Sequence, residues 1–114
     1  MLIIRQEQMD TLSRAAVHRF ERALLEDLRK NYPAESELKG DAGVLALIRE
    51  ASKRGESLGI VAECDIATLA ELDLSLGAPF ERQKGNEWAV AILRDKSISP
   101  AGRLALILAR LPAA

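Results

Sequence analysis

The sequence predicts an all-α protein, a compact bundle of about five helices with a long N-terminal helix, in one domain over residues 1–114. In several segments apolar residues recur at three- and four-residue steps, the spacing of one helix face. Residues that end and begin helices separate these segments. Two short strand-like segments, residues 44–47 and 59–61, have no alternating partner segment. A chain of 114 residues is long enough for one core and too short for a second.

The first predicted helix spans about Gln6 to Asn31, with no Gly or Pro inside it. Tyr32 and Pro33 end this helix, because a residue before proline is pushed out of the α region. We expect the helix to pack across the others, with a polar face in solvent at Thr11, Arg14, His18 and Arg22. Its apolar stripe consists of Met9, Leu12, Ala16, Phe20, Leu24 and Leu28.

A polar stretch, residues 34–40, separates this helix from a second one that begins at Asp41, whose carboxylate is a suitable N-cap. The second helix is predicted to end near Lys53, because Arg54-Gly55 and Leu58-Gly59 follow it. Its buried stripe consists of Val44, Leu47, Ile48 and Ala51.

A third helix is predicted from about Glu63 to Leu76, with Gly77 just past its end and Pro79 beyond. Its apolar stripe begins with Ile66, Leu69 and Ala70. Asp73 interrupts that stripe, so Leu72 and Leu76 are expected to continue it.

The last two predicted helices are shorter. Gly85 and Asn86 precede a fourth helix that contains Trp88, Ala91 and Ile92. Ser99 and Pro100 are the N-cap and first residue of a fifth helix. Its apolar residues are Leu104, Ile107, Leu108 and Leu111.

Charge and composition argue against several classes of function. The chain has 16 basic and 17 acidic residues, so it lacks the basic field of a nucleic-acid-binding protein. Gly55 and Gly59 fit neither of the phosphate-binding glycine spacings. One cysteine and one histidine exclude an intrachain disulfide and a Cys/His zinc site, and no cofactor is predicted.

The apolar segments are short. Residues 1–4 are apolar but Arg5 ends them, too early for a signal peptide. The run at 104–109 falls far below the roughly 20 residues that cross a bilayer. We therefore expect a cytoplasmic protein without a membrane partner.

Few residues are suited to catalysis. His18 is expected on the polar face of the first helix, and a lone surface histidine is its more common role. Cys64 lies near the start of a helix, where a thiol can become reactive, although a buried and inert cysteine is more common. Glu63 and Asp65 point apart on a helix, so capping is the simpler interpretation. The sequence favours a protein that is not an enzyme.

Apolar residues outside the stripes are candidates for partner binding. Leu2, Ile3 and Ile4 form a β-prone tripeptide that either adds to a partner's sheet or folds back on the first helix. Phe80 and Trp88 flank a loop in a chain with few aromatics; Trp88 is expected to lock that loop to the core, and Phe80 is open to either role. The candidate contacts are Leu2, Ile3, Ile4 and Phe80.

The order of these features resembles a family of small bacterial proteins encoded in type VI secretion effector clusters, beside spike-protein genes. The resemblance covers most of the chain and includes no catalytic motif. The residues that carry it are the opening Met1 to Met9, Phe20, Tyr32-Pro33, Gly59-Ile60 with Glu63 and Asp65, Gly77 with Phe80, and Trp88-Ala89 with Ile92-Leu93 and Asp95.

The resemblance implies an accessory role in which the protein binds a type VI effector or its loading adaptor before export, as a co-chaperone does, with a spike component as a third candidate partner. An immunity protein that blocks a toxic effector is the alternative, although the near-neutral charge gives no support for binding a basic nuclease. A small hydrolase or toxin is a remote alternative. The oligomeric state is left open by the sequence.

Overall fold

The computed structural model describes the backbone of residues 6–112 and the side chains of residues 14–112. Within this part the chain forms five α-helices and no strand, which confirms the all-α prediction. The helices are α1 (Gln6–Asn31), α2 (Pro33–Leu58), α3 (Glu63–Leu76), α4 (Trp88–Arg94) and α5 (Pro100–Arg110), with a 3₁₀ turn at Phe80–Arg82 between α3 and α4.

Helix α1 ends at Asn31, where the sequence predicts, and its first described side chains are exposed. The six residues from 14 to 19 are all exposed, so at least one full turn of the helix has no buried face. Among the described side chains of α1, Phe20 packs against the core and Leu24 and Leu28 are buried in it. Helix α1 lies mainly along α2 and also touches α3.

Helix α2 is longer than predicted at both ends. Residues 33–39 are helical rather than a polar connection, with Pro33 in the first turn, where proline's missing N–H costs nothing. Ser36 Oγ donates a buried hydrogen bond to the Leu28 carbonyl oxygen (3.0 Å), which ties this turn to α1. At Gly40 the backbone leaves the helical region (φ +74°), and the helix resumes at Asp41. At the surface, Asp41 Oδ2 lies 3.6 Å from Arg29 Nη1.

The end of α2 explains why Gly55 lies inside a helix rather than after one. Gly59 adopts a left-handed conformation (φ +77°), and the Gly59 and Ile60 N–H groups donate to the carbonyl oxygens of Glu56 and Gly55. This reversal brings the Ile60 carbonyl oxygen to within 2.5 Å of where a Cβ at position 55 would stand. Only glycine fits there, so Gly55 marks a close approach and not a helix end.

Helix α3 contributes the centre of the core and ends at Gly77, as predicted. Its stripe continues from Leu69 and Ala70 straight to Asp73, which is fully buried. Leu72 is buried as expected, whereas Leu76 is partly exposed. Asp73 therefore belongs to the stripe that it was expected to interrupt.

Helices α4 and α5 pack on each other and close the core. Ser99 Oγ accepts a hydrogen bond from the Gly102 N–H (3.1 Å), which confirms the predicted cap of α5. Leu104 and Ile107 point into the core, but Leu108, predicted to join them, is 51% exposed. The core side chains are Leu24, Leu28, Val44, Leu47, Ile48, Ala51, Ile60, Leu69, Ala70, Leu72, Leu74, Phe80, Ala89, Leu93, Leu104 and Ile107.

Candidate functional site

An apolar groove of about 370 Å³ lies where α1, the end of α2 and the start of α3 meet. Its position follows from local structure. Phe20 is the first described side chain of α1 to contact the core, and the exposed Val17 lies one turn earlier on the same face. The groove is lined by Ala16, Val17, Phe20, Ser52, Glu56, Val61, Glu63 and Ile66.

Two side chains in this groove are apolar and largely exposed. Val17 is 54% exposed and Val61 is 67% exposed. Val61 faces outward because its neighbour Ile60 fills the core after the chain reversal at Gly59. Single exposed valines are ordinary on protein surfaces, but these two line one groove whose floor is Phe20 and Ile66. The arrangement offers a concave apolar surface.

The charged residues that line the groove are both acidic. Glu56, near the end of α2, and Glu63, in the first turn of α3, are exposed. Glu63 is favourably placed, because a helix N-terminus carries partial positive charge. Among the described side chains that line the groove, none is basic. An apolar segment flanked by Lys or Arg is the complementary ligand.

The residues that the sequence proposes for partner binding fare differently. Leu2, Ile3 and Ile4 lie outside the described residues. Phe80 is fully buried, so the prediction that it contacts a partner is wrong. The 3₁₀ turn directs its ring into the core, and its N–H donates to Asp73 Oδ1 (3.0 Å). Val17 and Val61 were missed, because nothing local in the sequence distinguishes an apolar residue just outside the core from one inside it.

Trp88 locks its loop to the helices, as predicted. Its indole Nε1–H donates to the Gly85 carbonyl oxygen (3.0 Å), and its ring packs partly against the core. The Arg110 guanidinium lies 4.6 Å from the centre of the ring, a cation–π contact between α5 and α4.

Arg54, Asp73 and Glu81 form a buried ionic cluster between α2, α3 and the 3₁₀ turn. Arg54 Nη2 donates to Asp73 Oδ1 (2.9 Å), and Arg54 Nε lies 2.8 Å from Glu81 Oε1 without its N–H being aligned on that oxygen. Asp73 Oδ2 and Glu81 Oε2 are buried and have no hydrogen-bond partner among the described residues. One guanidinium therefore serves two carboxylates.

Burial raises the pKa of Asp73 above its usual range, and the hydrogen bond and charge of Arg54 only partly offset this effect. An open cavity of about 460 Å³ lies beside the cluster, with Arg54 and Glu81 in its wall. Because Arg54 of α2 contacts Asp73 of α3 and Glu81 of the 3₁₀ turn, the cluster links these three elements.

Arg103 is a buried cation, and it is bound by carbonyl oxygens rather than carboxylates. Its Nη1 donates to the carbonyl oxygens of Leu58 (2.8 Å) and Leu93 (3.0 Å), and its Nε donates to that of Ile98 (2.8 Å). Leu58 and Leu93 lie in the last turns of α2 and α4, where carbonyls lack helical partners, and Ile98 lies in the loop before α5. Arg103 thus joins three segments, a role that the sequence alone did not reveal.

The residues weighed for catalysis lie on the surface. His18 is exposed on α1, and Cys64 is exposed with its Sγ 3.9 Å from Asp65 Oδ1, so the expectation of a buried cysteine is wrong. Glu63 and Asp65 lie in the first turn of α3, where Ala62 is the N-cap and no side chain caps the helix. The prediction that one of them caps the helix is therefore wrong. Both carboxylates instead lie near the helix N-terminus, whose partial positive charge favours acidic residues.

Within the described part of the chain, no three His, Cys, Asp or Glu side chains come together as metal ligands. No helix within it has the length and apolar character to span a bilayer.

Comparison with known proteins gives no relative: no family model, curated protein or solved structure matches this chain.

Proposed function

We propose that this protein is a non-enzymatic binding protein that holds an apolar segment of a type VI secretion effector, or of its loading adaptor, before export. The observation that carries the proposal is the groove at α1, α2 and α3, where Val17 and Val61 are more than half exposed beside Phe20. A groove of this kind accepts the apolar side of a helix or an extended peptide.

The charge of the groove defines the segment that fits. Glu56 and Glu63 line it, so the bound segment carries Lys or Arg next to its apolar residues. Apolar contact with the two valines supplies affinity, and the glutamates mainly speed association and set orientation. The likeness to type VI accessory proteins supports an effector or adaptor as the source of the segment.

Co-purification with point variants tests this role. The tagged protein is purified from its host as wild type and as Val17→Asp, Val61→Asp and Leu38→Asp. Leu38 is 90% exposed and lies near the opposite end of α2, so it is the matched control for adding a charge to the surface. We expect the wild type and Leu38→Asp to retain a type VI effector or adaptor, and the two valine variants to lose it.

The result that contradicts the proposal is equal recovery of the effector by all four proteins, or its absence from the wild type. Circular dichroism confirms that each variant is folded. Protection of cells that express the effector as a toxin, with no defect in its export, would favour the immunity role instead.

The acidic residues are tested separately by charge reversal. Glu56→Lys together with Glu63→Lys is expected to slow association with a purified partner and to reverse the dependence of the association rate on salt, because salt then screens a repulsion between like charges. An unchanged association rate would remove the glutamates from the site.

A further inference from the structure

The outward face of α5 is apolar along its whole length. Ala101, Ala105, Leu106, Leu108 and Ala109 are all exposed, with Leu106 at 49% and Leu108 at 51%. A helix on the surface of a protein normally carries charged or polar residues on its solvent side. This helix carries none on that side.

The two charged residues of α5 do not reach this face. Arg103 points into the protein, where it binds three carbonyl oxygens. Arg110 lies over the ring of Trp88 on α4. The helix thus has a cation on its buried side and leucines in solvent, the reverse of the usual arrangement, and contacts within the described chain leave the leucines uncovered.

The arrangement of side chains on this face suits close helix packing. At about 100° per residue, Ala105 and Ala109 lie at the centre of the outward face, and Leu106 and Leu108 lie on either side of them. Small residues at the centre let another helix backbone approach, and the flanking leucines pack against its sides. The face has the form of one half of a helix–helix interface.

We propose that this face pairs with the same face of a second copy of the chain, with the two α5 helices antiparallel about a two-fold axis near Ala105. A two-fold axis brings a surface onto itself, and an uncharged face is complementary to itself. A segment with the basic residues that fit the α1–α3 groove would bury those charges unpaired on α5. The two surfaces therefore serve different partners.

The antiparallel arrangement fixes which residues meet. Ala105 lies opposite Ala105 of the second copy, and Ala101 lies opposite Ala109. The helix is 11 residues long, so the interface is at the small end of specific interfaces, and the dimer is expected to be weak and reversible.

Disulfide trapping tests this geometry in purified protein. Cys64, the one native cysteine, is first replaced by Ser. In that background we expect Ala105→Cys to form a covalent dimer, and Ala101→Cys mixed with Ala109→Cys to form a mixed dimer. Ala101→Cys alone is expected to give roughly tenfold less covalent dimer, because a disulfide needs Cα atoms within about 7 Å.

Added charge provides the second arm of the test. Leu106→Glu is expected to abolish trapping through Ala105→Cys, and Leu38→Glu, which also adds a charge at an exposed leucine, is expected to leave it unchanged. Absence of trapping in folded Ala105→Cys protein would overturn the proposal, as would equal trapping through Ala101→Cys alone. The measurement uses no effector, so its failure is distinct from failure of the groove proposal.

Discussion

The buried ionic cluster of Arg54, Asp73 and Glu81 places charges inside the protein, whereas α5 exposes leucines to solvent. In the cluster, Asp73 is fully buried and Glu81 nearly so. On α5, about half of each of Leu106 and Leu108 is exposed. Both regions depart from the usual distribution of polar and apolar residues.

The two regions differ in whether their unusual residues are partnered within the chain. Each of the buried charged or polar residues in the described part of the chain has a partner in the same chain: Glu21 pairs with Arg49, Ser36 with Leu28, Asp73 and Glu81 with Arg54, and Arg103 with three carbonyls. The exposed leucines of α5 and the valines of the groove are not covered in this way. The buried charges thus contribute to folding, and the exposed apolar residues are the surfaces to which we assign the proposed binding.

The largest expected loss of stability follows from removing the cation of the buried cluster. Arg54→Met leaves two buried carboxylates without their guanidinium, and we expect the free energy of unfolding to fall by about 3–5 kcal/mol. Urea unfolding measures this change. Arg29→Met is the matched control, because Arg29 pairs with the exposed Asp41 at the surface and its loss is expected to matter far less. Equal losses in the two variants would show that burial of the cluster is unimportant.

Arg103 is expected to contribute the next largest effect. Arg103→Met deprives carbonyl oxygens at the ends of α2 and α4 of their donor, and we expect a loss of roughly 2–4 kcal/mol in urea unfolding. Arg94→Met, an exposed arginine in the neighbouring helix, is expected to change stability by less than about 0.5 kcal/mol. A loss for Arg103→Met no greater than that of Arg94→Met would contradict a joining role for Arg103.

A smaller, pH-dependent effect is expected at Asp73. Because burial raises its native pKa, the folded protein binds this proton more tightly than the unfolded chain does. The resulting stability is fully present below the unfolded pKa of about 4 and is lost as pH rises through the native pKa. Asp73→Asn keeps an oxygen for Arg54 and Phe80 but has no proton to lose.

The measurement for Asp73 is urea unfolding of the wild type and Asp73→Asn between pH 4 and 7.5. We expect the free energy of unfolding of the variant, relative to that of the wild type, to increase as pH rises, by at most about 1.4 kcal/mol per pH unit. The opposite trend would mean that the ion pair with Arg54 outweighs the burial of the carboxylate.

The smallest effect on stability is expected in the groove. Val17→Asp and Val61→Asp change residues that are more than half exposed, so the free energy of unfolding is expected to change by less than about 0.5 kcal/mol while partner binding is lost. Thermal unfolding combined with the binding assay measures both. A variant that loses binding and stability together would place its valine in the core.

The fold could be predicted where local signals decide it. Gly77 and Ser99 end and begin helices through bonds to residues within four positions, so those boundaries were correct. The helical turn before Gly40 was missed because it depends on Ser36 reaching Leu28 in another helix. Gly55 was misread because its role depends on the close approach of Ile60.

The candidate site was harder to predict for the same reason. Asp73 occupies the position four residues after Leu69, where a core residue belongs, and its partner Arg54 lies 19 residues away. No local feature of the sequence shows that Phe80 is buried, because its burial depends on the turn that packs it against α3. The groove exists only where three helices meet, so no single segment of the sequence contains it.

The most direct test of whether the exposed apolar residues serve association rather than folding is thermal unfolding at several protein concentrations. The proteins compared are the wild type and the double variant Leu106→Gln, Leu108→Gln. We expect the wild-type midpoint to rise with concentration, because a dimer stabilises the folded state by mass action. The variant is expected to stay at the low-concentration midpoint of the wild type throughout. A wild-type midpoint that is independent of concentration, or a variant less stable than the wild type at the lowest concentration, would contradict this claim.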